Sequence, residues 1–224
     1  MITQTGLIDV EQLKEMLSRR KITTTRFRLP LSYENAKKAL YVAVEVEVNS
    51  RHRTLKSSEE LDSQLSQIAK WLTSENQQFG MMLYGEVGSG KTTMLKAFQN
   101  LLNALNIKNE NDTIAYRPYG IRIVDAKFLT ECYQNNPKEF DAISRMDMLG
   151  IDDLGLEPKE IMLYGNILTP LADLFLKRYE NQLFTIVTTN LTPKQIRELY
   201  GKRIADRFNE MMKRIVFNNS TYRL

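Results

Sequence analysis

Apolar residues recur along this chain in two alternating rhythms. Between Ser58 and Trp71 they return every three or four positions (Leu61, Leu65, Ile68, Ala69, then Leu72), which is the spacing of one helix face. Phe79–Tyr84 is a short apolar run that ends in a glycine-rich loop, and Lys91–Leu105 resumes the helical spacing. Further short apolar runs occupy Ile121–Val124, Met146–Ile151 and Leu183–Thr188. Helical stretches are predicted between them at Ala126–Gln134, Pro137–Ile143 and Ile161–Arg178, with Pro170 bending the last. Helices at Pro193–Tyr200 and Lys202–Lys213 and a strand at Arg214–Phe217 follow. Strands that alternate with helices predict a mostly parallel sheet covered on both faces, an α/β domain.

The first 58 residues follow a different pattern. Ile8, Leu13, Met16 and Leu17 make a short amphipathic helix over Asp9–Arg20, closing in the basic cluster Arg19, Arg20 and Lys21. Ser32 is placed to cap a helix over Tyr33–Leu40. The next stretch, Tyr41–Val48, fits two patterns. Val42, Val44, Val46 and Val48 alternate as in a strand, while Ala36, Leu40, Ala43 and Val44 continue a helical stripe. Helix is favoured, because nothing nearby supplies a hairpin partner. The chain is therefore divided into a mainly helical segment, 1–58, and a domain, 59–224. The opening helix suits either of two roles, docking a partner or packing on the domain.

Composition removes several kinds of function. With 224 residues and 42% hydrophobic content the chain can bury a full core, so disorder is excluded. Its net charge of +4 is compatible with a nucleic-acid partner but does not argue for one. Cys132 is the only cysteine and His52 the only histidine. No intrachain disulfide, zinc cluster, Ser-His-Asp triad or multi-histidine metal site can be built from them. Cys132 and Trp71 fall on apolar helix faces and are expected in the core, and His52, between Arg51 and Arg53, in a solvated turn. The N-terminus lacks the apolar stretch of a signal peptide, and no run approaches the ~20 apolar residues of a membrane span. A cytoplasmic location without membrane contact is expected.

Chemistry enters at Gly85–Thr92, which satisfies G-x-x-x-x-G-K-[ST] in full: Gly85, Glu86, Val87, Gly88, Ser89, Gly90, Lys91 and Thr92. Glycines let the backbone N–H groups turn inward around phosphate oxygens. Lys91 supplies a mobile ammonium to the β- and γ-phosphates, and the Thr92 hydroxyl can serve Mg²⁺. The helix that starts at Lys91 adds its positive end, and Thr93 continues the binding stretch. ATP and Mg²⁺ are the expected cofactors. About sixty residues on, the run Met146–Ile151 ends in Asp152 and Asp153, placing two carboxylates at the ligand-binding edge of an open α/β sheet. Asp152 is expected in the Mg²⁺ shell and Asp153 at the attacking water. Asn190, at the end of Leu183–Thr189, can bridge that water and the γ-phosphate, or it can cap the helix beginning at Pro193. Arg203 and Arg207 share a helix face. They make either a solvated basic surface or an arginine offered by one subunit to the γ-phosphate held by the next.

Taken in order, these elements resemble the AAA+ ATPases of the DnaC-type helicase-loader and IstB-type transposition-helper group. The resemblance runs from about Ser58 onward. It rests on Gly85–Thr92, Ile151–Gly155, Arg178 and Tyr179 leading into Thr185–Leu191, Gly201–Arg207, and Ser220–Arg223. It implies a P-loop NTPase fold, a three-layer α/β/α sandwich on a parallel 5-1-4-3-2 sheet, and ATP sites between neighbouring subunits. Position by position it makes Lys91 and Thr92 Walker A, Asp152 and Asp153 Walker B, Asn190 sensor 1, and Arg207 the arginine finger with Arg203 one turn before it. The implied partners are a replicative helicase and single-stranded DNA, or a transposase in the alternative pathway, within a homo-oligomer or partner-templated assembly. Two departures stand out. Most AAA+ proteins carry Glu where this chain has Asp153, which implies slow, partner-stimulated hydrolysis. The residues after Arg207 are expected to be too few for a C-terminal helical lid, which leaves Arg223 as the only late candidate for a sensor-2 role.

Overall fold

The computed structural model describes residues 9–18, 25–75, 78–112, 114–163 and 165–219. Ile8, the basic cluster at 19–21 and the 220–223 motif, Arg223 included, lie outside the described residues. The N-terminal part is helical: α1 (Val10–Ser18), α2 (Tyr33–Asn49) and α3 (Glu59–Thr73). There follow β1 (Gly80–Gly85), α4 (Lys91–Leu105), β2 (Arg122–Asp125), α5 (Ala126–Asn135), α6 (Pro137–Ser144) and β3 (Met148–Leu154). The remainder is β4 (Ile161–Leu163), β5 (Asn166–Leu168), α7 (Pro170–Glu180), β6 (Phe184–Thr189), α8 (Pro193–Met211) and β7 (Met212–Phe217).

Five parallel strands form one sheet in the order β2-β3-β6-β1-β7. Setting aside the β4–β5 hairpin, this is the expected 5-1-4-3-2 arrangement. Side chains on successive strand residues go to opposite faces, and the sheet uses both. On β1, Met81 and Leu83 join the core beneath α2, α3 and α4, whereas Met82 joins the core beneath α5, α7 and α8. A strand buried on both faces reads as an unbroken apolar run, which is why β1 and β6 stood out in the sequence.

Residues 33–49 are one helix. Ser32 Oγ accepts the Asn35 N–H at 3.3 Å, the cap its position predicted. The alternating valines split by helical geometry. Val44 is buried with Ala36 and Leu40, whereas Val42 and Val46 are exposed. α2 packs on α3 and α4 in a single apolar core. Glu47 joins α2 to α4, because its Oε2 accepts from Asn100 Nδ2 at 3.1 Å. Trp71 and Cys132 are buried, and His52 lies in an exposed turn at φ 56°.

Ile161–Arg178 is not one helix. The apolar residues at its start form the antiparallel β4–β5 hairpin, which turns at Gly165 (φ +79°). The helix begins at Pro170 instead of bending there. Proline suits the first helical turn, where its missing N–H removes no bond. A smaller shift affects the Asp pair. β3 continues through Asp152 and Asp153 to Leu154, with a bulge between Ile151 and Leu154, so both acids are strand residues. The two helices expected at 193–200 and 202–213 form α8, interrupted by non-helical dihedrals at Gly201, and the strand after them starts at Met212. Among the described residues, no helix is long and apolar enough to cross a membrane.

Candidate functional site

β1 leads into the glycine loop, and α4 leaves it. Gly85 is forced at the first position. Its φ is 147°, and a Cβ there would lie 2.0 Å from the carbonyl oxygen of Phe217 on β7. Gly88 and Gly90 take φ values of 85° and 96°, which turn the loop back over the first turn of α4. Lys91 is buried, and its Nζ donates to the carbonyl oxygens of Gly85 at 2.9 Å and Glu86 at 2.7 Å. The ammonium is thus held inside the concave face of the loop, at the positive end of α4. Ser89 is buried too, and its hydroxyl donates to the Glu86 carbonyl at 2.7 Å.

The acids arrive on β3, two strands away, with β6 between. Thr92 Oγ1 donates to Asp152 Oδ1 at 2.9 Å, joining the first turn of α4 to β3. Asp153 lies in the left-handed region at φ 56°, a conformation that costs a non-glycine residue energy and recurs at functional sites. Its backbone N–H is held by Thr188 Oγ1 at 2.9 Å. Asn190 follows β6 and is exposed. The competing role for Asn190, capping the next helix, belongs to Thr192, which forms a full capping box with Gln195.

Val87 through Thr93, Asp152, Asp153 and Asn190 line one cleft of about 1190 Å³. A polyphosphate would meet the loop N–H groups and Lys91, with an all-oxygen pair, Thr92 and Asp152, beside it. Hydroxyl and carboxylate oxygens fit a hard divalent cation such as Mg²⁺, which completes its shell with phosphate oxygens and water. Among the described residues no group of three or more His, Cys, Asp or Glu side chains could hold a metal without them.

Arg207 is not in the wall of this cleft. Its guanidinium lies 4.3 Å from the centroid of the Tyr179 ring, and Nη1 donates to the Tyr179 hydroxyl at 3.1 Å and to Glu210 at 3.4 Å. Arg203 is exposed on the same helix. The structure therefore brings together Walker-type loop, acids and Asn190, and leaves both arginines on a separate surface.

Two parts of the wall escaped the sequence analysis. Residues 51 and 53–58, between α2 and α3, line the side of the cleft beyond the loop. Gln64 and Asn219 also line it as a buried reciprocal amide pair, at 2.7 and 3.2 Å, and Asn219 Nδ2 donates on to the Ser89 carbonyl at 3.4 Å. Gln64 had a signal: it is a polar residue between Leu61 and Ile68 on an inward helix face.

Arg178, quoted above only as a motif residue, is fully buried. Nε donates to Thr185 Oγ1 at 2.8 Å, Nη1 to the carbonyls of Ser144 and Met146, and Nη2 to the carbonyl of Phe184 at 2.6 Å. Burial lowers its pKa to about 9. It ties α7 to the entry ends of β3 and β6, the two strands that carry Asp152, Asp153 and Asn190.

A phosphate loop after the first strand, two acids on the third and an Asn at the end of the fourth, in this strand order, define a P-loop AAA+ ATP-binding domain. The chain belongs to the bacterial DnaA ATPase-domain family, whose profile matches residues 55–213. No curated protein is significantly similar in sequence. Among solved structures, DnaI is similar at TM-score 0.56 and 18% identity, covering 84% of this chain and 93% of that one. The DnaC helicase loader is similar at 0.53 and 19%, covering 82% and 100%. A primosome component from Streptococcus pyogenes serotype M3 is similar at 0.55 and 18%, covering 81% and 98%. These likenesses show a shared fold.

Proposed function

We propose that this protein is an ATP-hydrolysing DNA replication accessory of the helicase-loader kind, acting on a replicative helicase and single-stranded DNA. One observation carries the reading: Lys91, Thr92, Asp152, Asp153 and Asn190, drawn from three separate strand ends, line a single cleft in which Thr92 is already bonded to Asp152. Lys91 and the loop N–H groups bind the β- and γ-phosphates of ATP. Thr92 and Asp152 would hold Mg²⁺, whose chemistry is to neutralise charge on the phosphates. Asp153 polarises the attacking water as general base, and Asn190 orients that water with its amide. Arg207 lies outside its own cleft, which supports a role at the γ-phosphate of a neighbouring subunit, in a homo-oligomer or an assembly templated by the partner.

Residues 1–58 form the partner-binding segment and 59–224 the ATPase domain. On α1, Val10, Leu13, Met16 and Leu17 are all exposed, an apolar stripe of the kind that docks into a partner groove. α2, though in the same segment, is built into the domain core. The protein acts in the cytoplasm.

Steady-state ATP turnover, titrated with a single-stranded oligonucleotide at several protein concentrations, tests this reading. Turnover that rises with DNA, and more than linearly with protein, is the expected result. Tight ATP binding with flat, near-zero turnover would replace it with a nucleotide-dependent adaptor. Recovery of a transposase and no helicase, with the full chain as bait, would replace it with a transposition helper.

A further inference from the structure

α8 is one helix by hydrogen bonding and two by backbone angle. Gly201 interrupts it at φ 85°, ψ 168°, a region essentially confined to glycine, and the half that follows carries Arg203 and Arg207. Each half has its own apolar anchor, Ile196 before the break and Ile204 and Phe208 after it, all buried in the same core. These anchors hold the halves down but leave the angle between them to Gly201.

Tyr200, the last residue before the break, supplies a further tie. Its hydroxyl donates to Oε1 of Glu157, and Glu157 is buried, 6% exposed. The other carboxylate oxygen, Oε2, accepts the Gly155 N–H at 2.8 Å. Gly155 follows the β3 acids at φ +100°, so close to Leu191 that a Cβ would lie 2.5 Å from its Cδ1. Leu191 is next to Asn190, and Thr189 joins the two loops by donating to the Leu154 carbonyl at 2.6 Å and accepting the Leu191 N–H at 3.0 Å. An unbroken set of bonds and contacts, buried or partly buried, thus runs from the acid-bearing end of β3 and the Asn190 loop to the hinge of the arginine helix. Burial, together with the Glu157 carboxylate, pushes the Tyr200 phenol far above its ordinary value, so it remains a proton donor throughout the working pH range.

We propose that Glu157 and Tyr200 are positioning residues that fix the hinge of α8, where the arginine-bearing half begins, to the nucleotide end of the cleft, so that each subunit offers Arg207 to its neighbour in register with its own bound nucleotide. The proposal rests on the reading of Arg207 as acting across a subunit interface. It places Tyr200 on the donating side of that interface and leaves the cleft of its own subunit intact.

Mixing experiments separate these sides. Tyr200→Phe keeps the ring and loses the hydroxyl. Alone, it is expected to lower DNA-stimulated turnover between about tenfold and about a hundredfold, the scale of a misplaced catalytic group, with the KM for ATP within about twofold of the parent. Mixed with Asp153→Asn subunits, which have a sound arginine helix but a disabled cleft, it should regain turnover. Mixed with Arg207→Ala subunits it should not, since neither partner then presents a placed arginine. The reverse pattern, restoration by both or by neither, or full turnover of Tyr200→Phe alone, overturns the proposal. Glu157→Gln, which cannot accept from Gly155 and Tyr200 through two separate oxygens, should reproduce the pattern if Tyr200→Phe fails to fold. The Arg207→Ala and Asp153→Asn mixture is the control. If that pair fails to restore turnover, the trans-acting arginine is itself wrong and the positioning role falls with it. If the pair succeeds and the Tyr200→Phe mixtures do not follow the expected pattern, only the positioning role falls.

Discussion

Thr188 donates its hydroxyl to Oδ1 of Asp152 at 2.5 Å, the same oxygen that accepts from Thr92. The Thr188 oxygen in turn accepts the Asp153 N–H at 2.9 Å. One buried threonine on β6 therefore fixes both acids of β3: the side chain of the first and the backbone of the second. Thr188→Val keeps the shape and removes both bonds. The expected cost is about 1–3 kcal/mol of stability, read from urea denaturation, because the Asp153 N–H loses its partner. ATP turnover should fall further than ATP affinity. Unchanged turnover would show that the acids hold their places without Thr188.

Lys91→Ala removes an ammonium held by the Gly85 and Glu86 carbonyls at the centre of the loop. ATP affinity, measured by isothermal titration, should drop at least about tenfold, or ~1.4 kcal/mol. The fold should survive, since the loop from Val87 to Thr93 lines an open cleft that water can enter. Equal affinity in the variant would mean that the loop is not the phosphate site.

Arg178→Met tests the staple beneath the strands. The change strands the carbonyls of Ser144, Met146 and Phe184, all of which the guanidinium now satisfies. A loss of about 2–4 kcal/mol is expected in chemical denaturation, large for a residue that touches no ligand. A loss below about 1 kcal/mol would show that the strands close around the gap.

Acid should weaken the protein through two half-buried carboxylates as well. The Arg117 side chain, with the Ala115 N–H, holds Asp112 down to about 2, and the Lys177 ammonium lowers Asp141. Each carboxyl binds its proton less tightly folded than unfolded. Its stabilising share is therefore complete above the ordinary carboxyl value of 3.8 and is lost as pH falls toward the folded value, about 2 for Asp112. The urea midpoint should decline across that window, and Asp112→Asn should make the decline shallower. An identical slope in the variant would remove Asp112 from the account.

The parts of this fold that could be read from the sequence are those where one rhythm holds over a whole element. β1, α4 and β6 match their expected bounds to within about one residue, because a strand buried on both faces or a helix buried on one has a plain pattern. The loop at Gly85–Thr92 was legible for a chemical reason, since its glycines and Lys91 serve the backbone path and the ligand together. The 161–178 stretch was misread because Ile161, Leu168, Leu171, Leu174 and Phe175 fall near helical spacing although two different structures contribute them. Gly165 and Pro170 mark the true borders, a turn and a first helical residue. The walls formed by residues 53–58 and Asn219, and the bond between Glu157 and Tyr200, join segments far apart in the chain. Local periodicity carries no record of such pairings.

α2 packs along α4 through Ala36, Leu40 and Val44 and is pinned to it by the Glu47–Asn100 bond. The N-terminal turn of α4 leaves the glycine loop that we propose as the phosphate site. On the proposed function, a partner that grips the chain ahead of α2 would pull on a helix pair whose far end meets the nucleotide. Thermodynamic reciprocity then applies: any free energy that ATP adds to partner binding must be returned, in equal amount, by the partner to ATP.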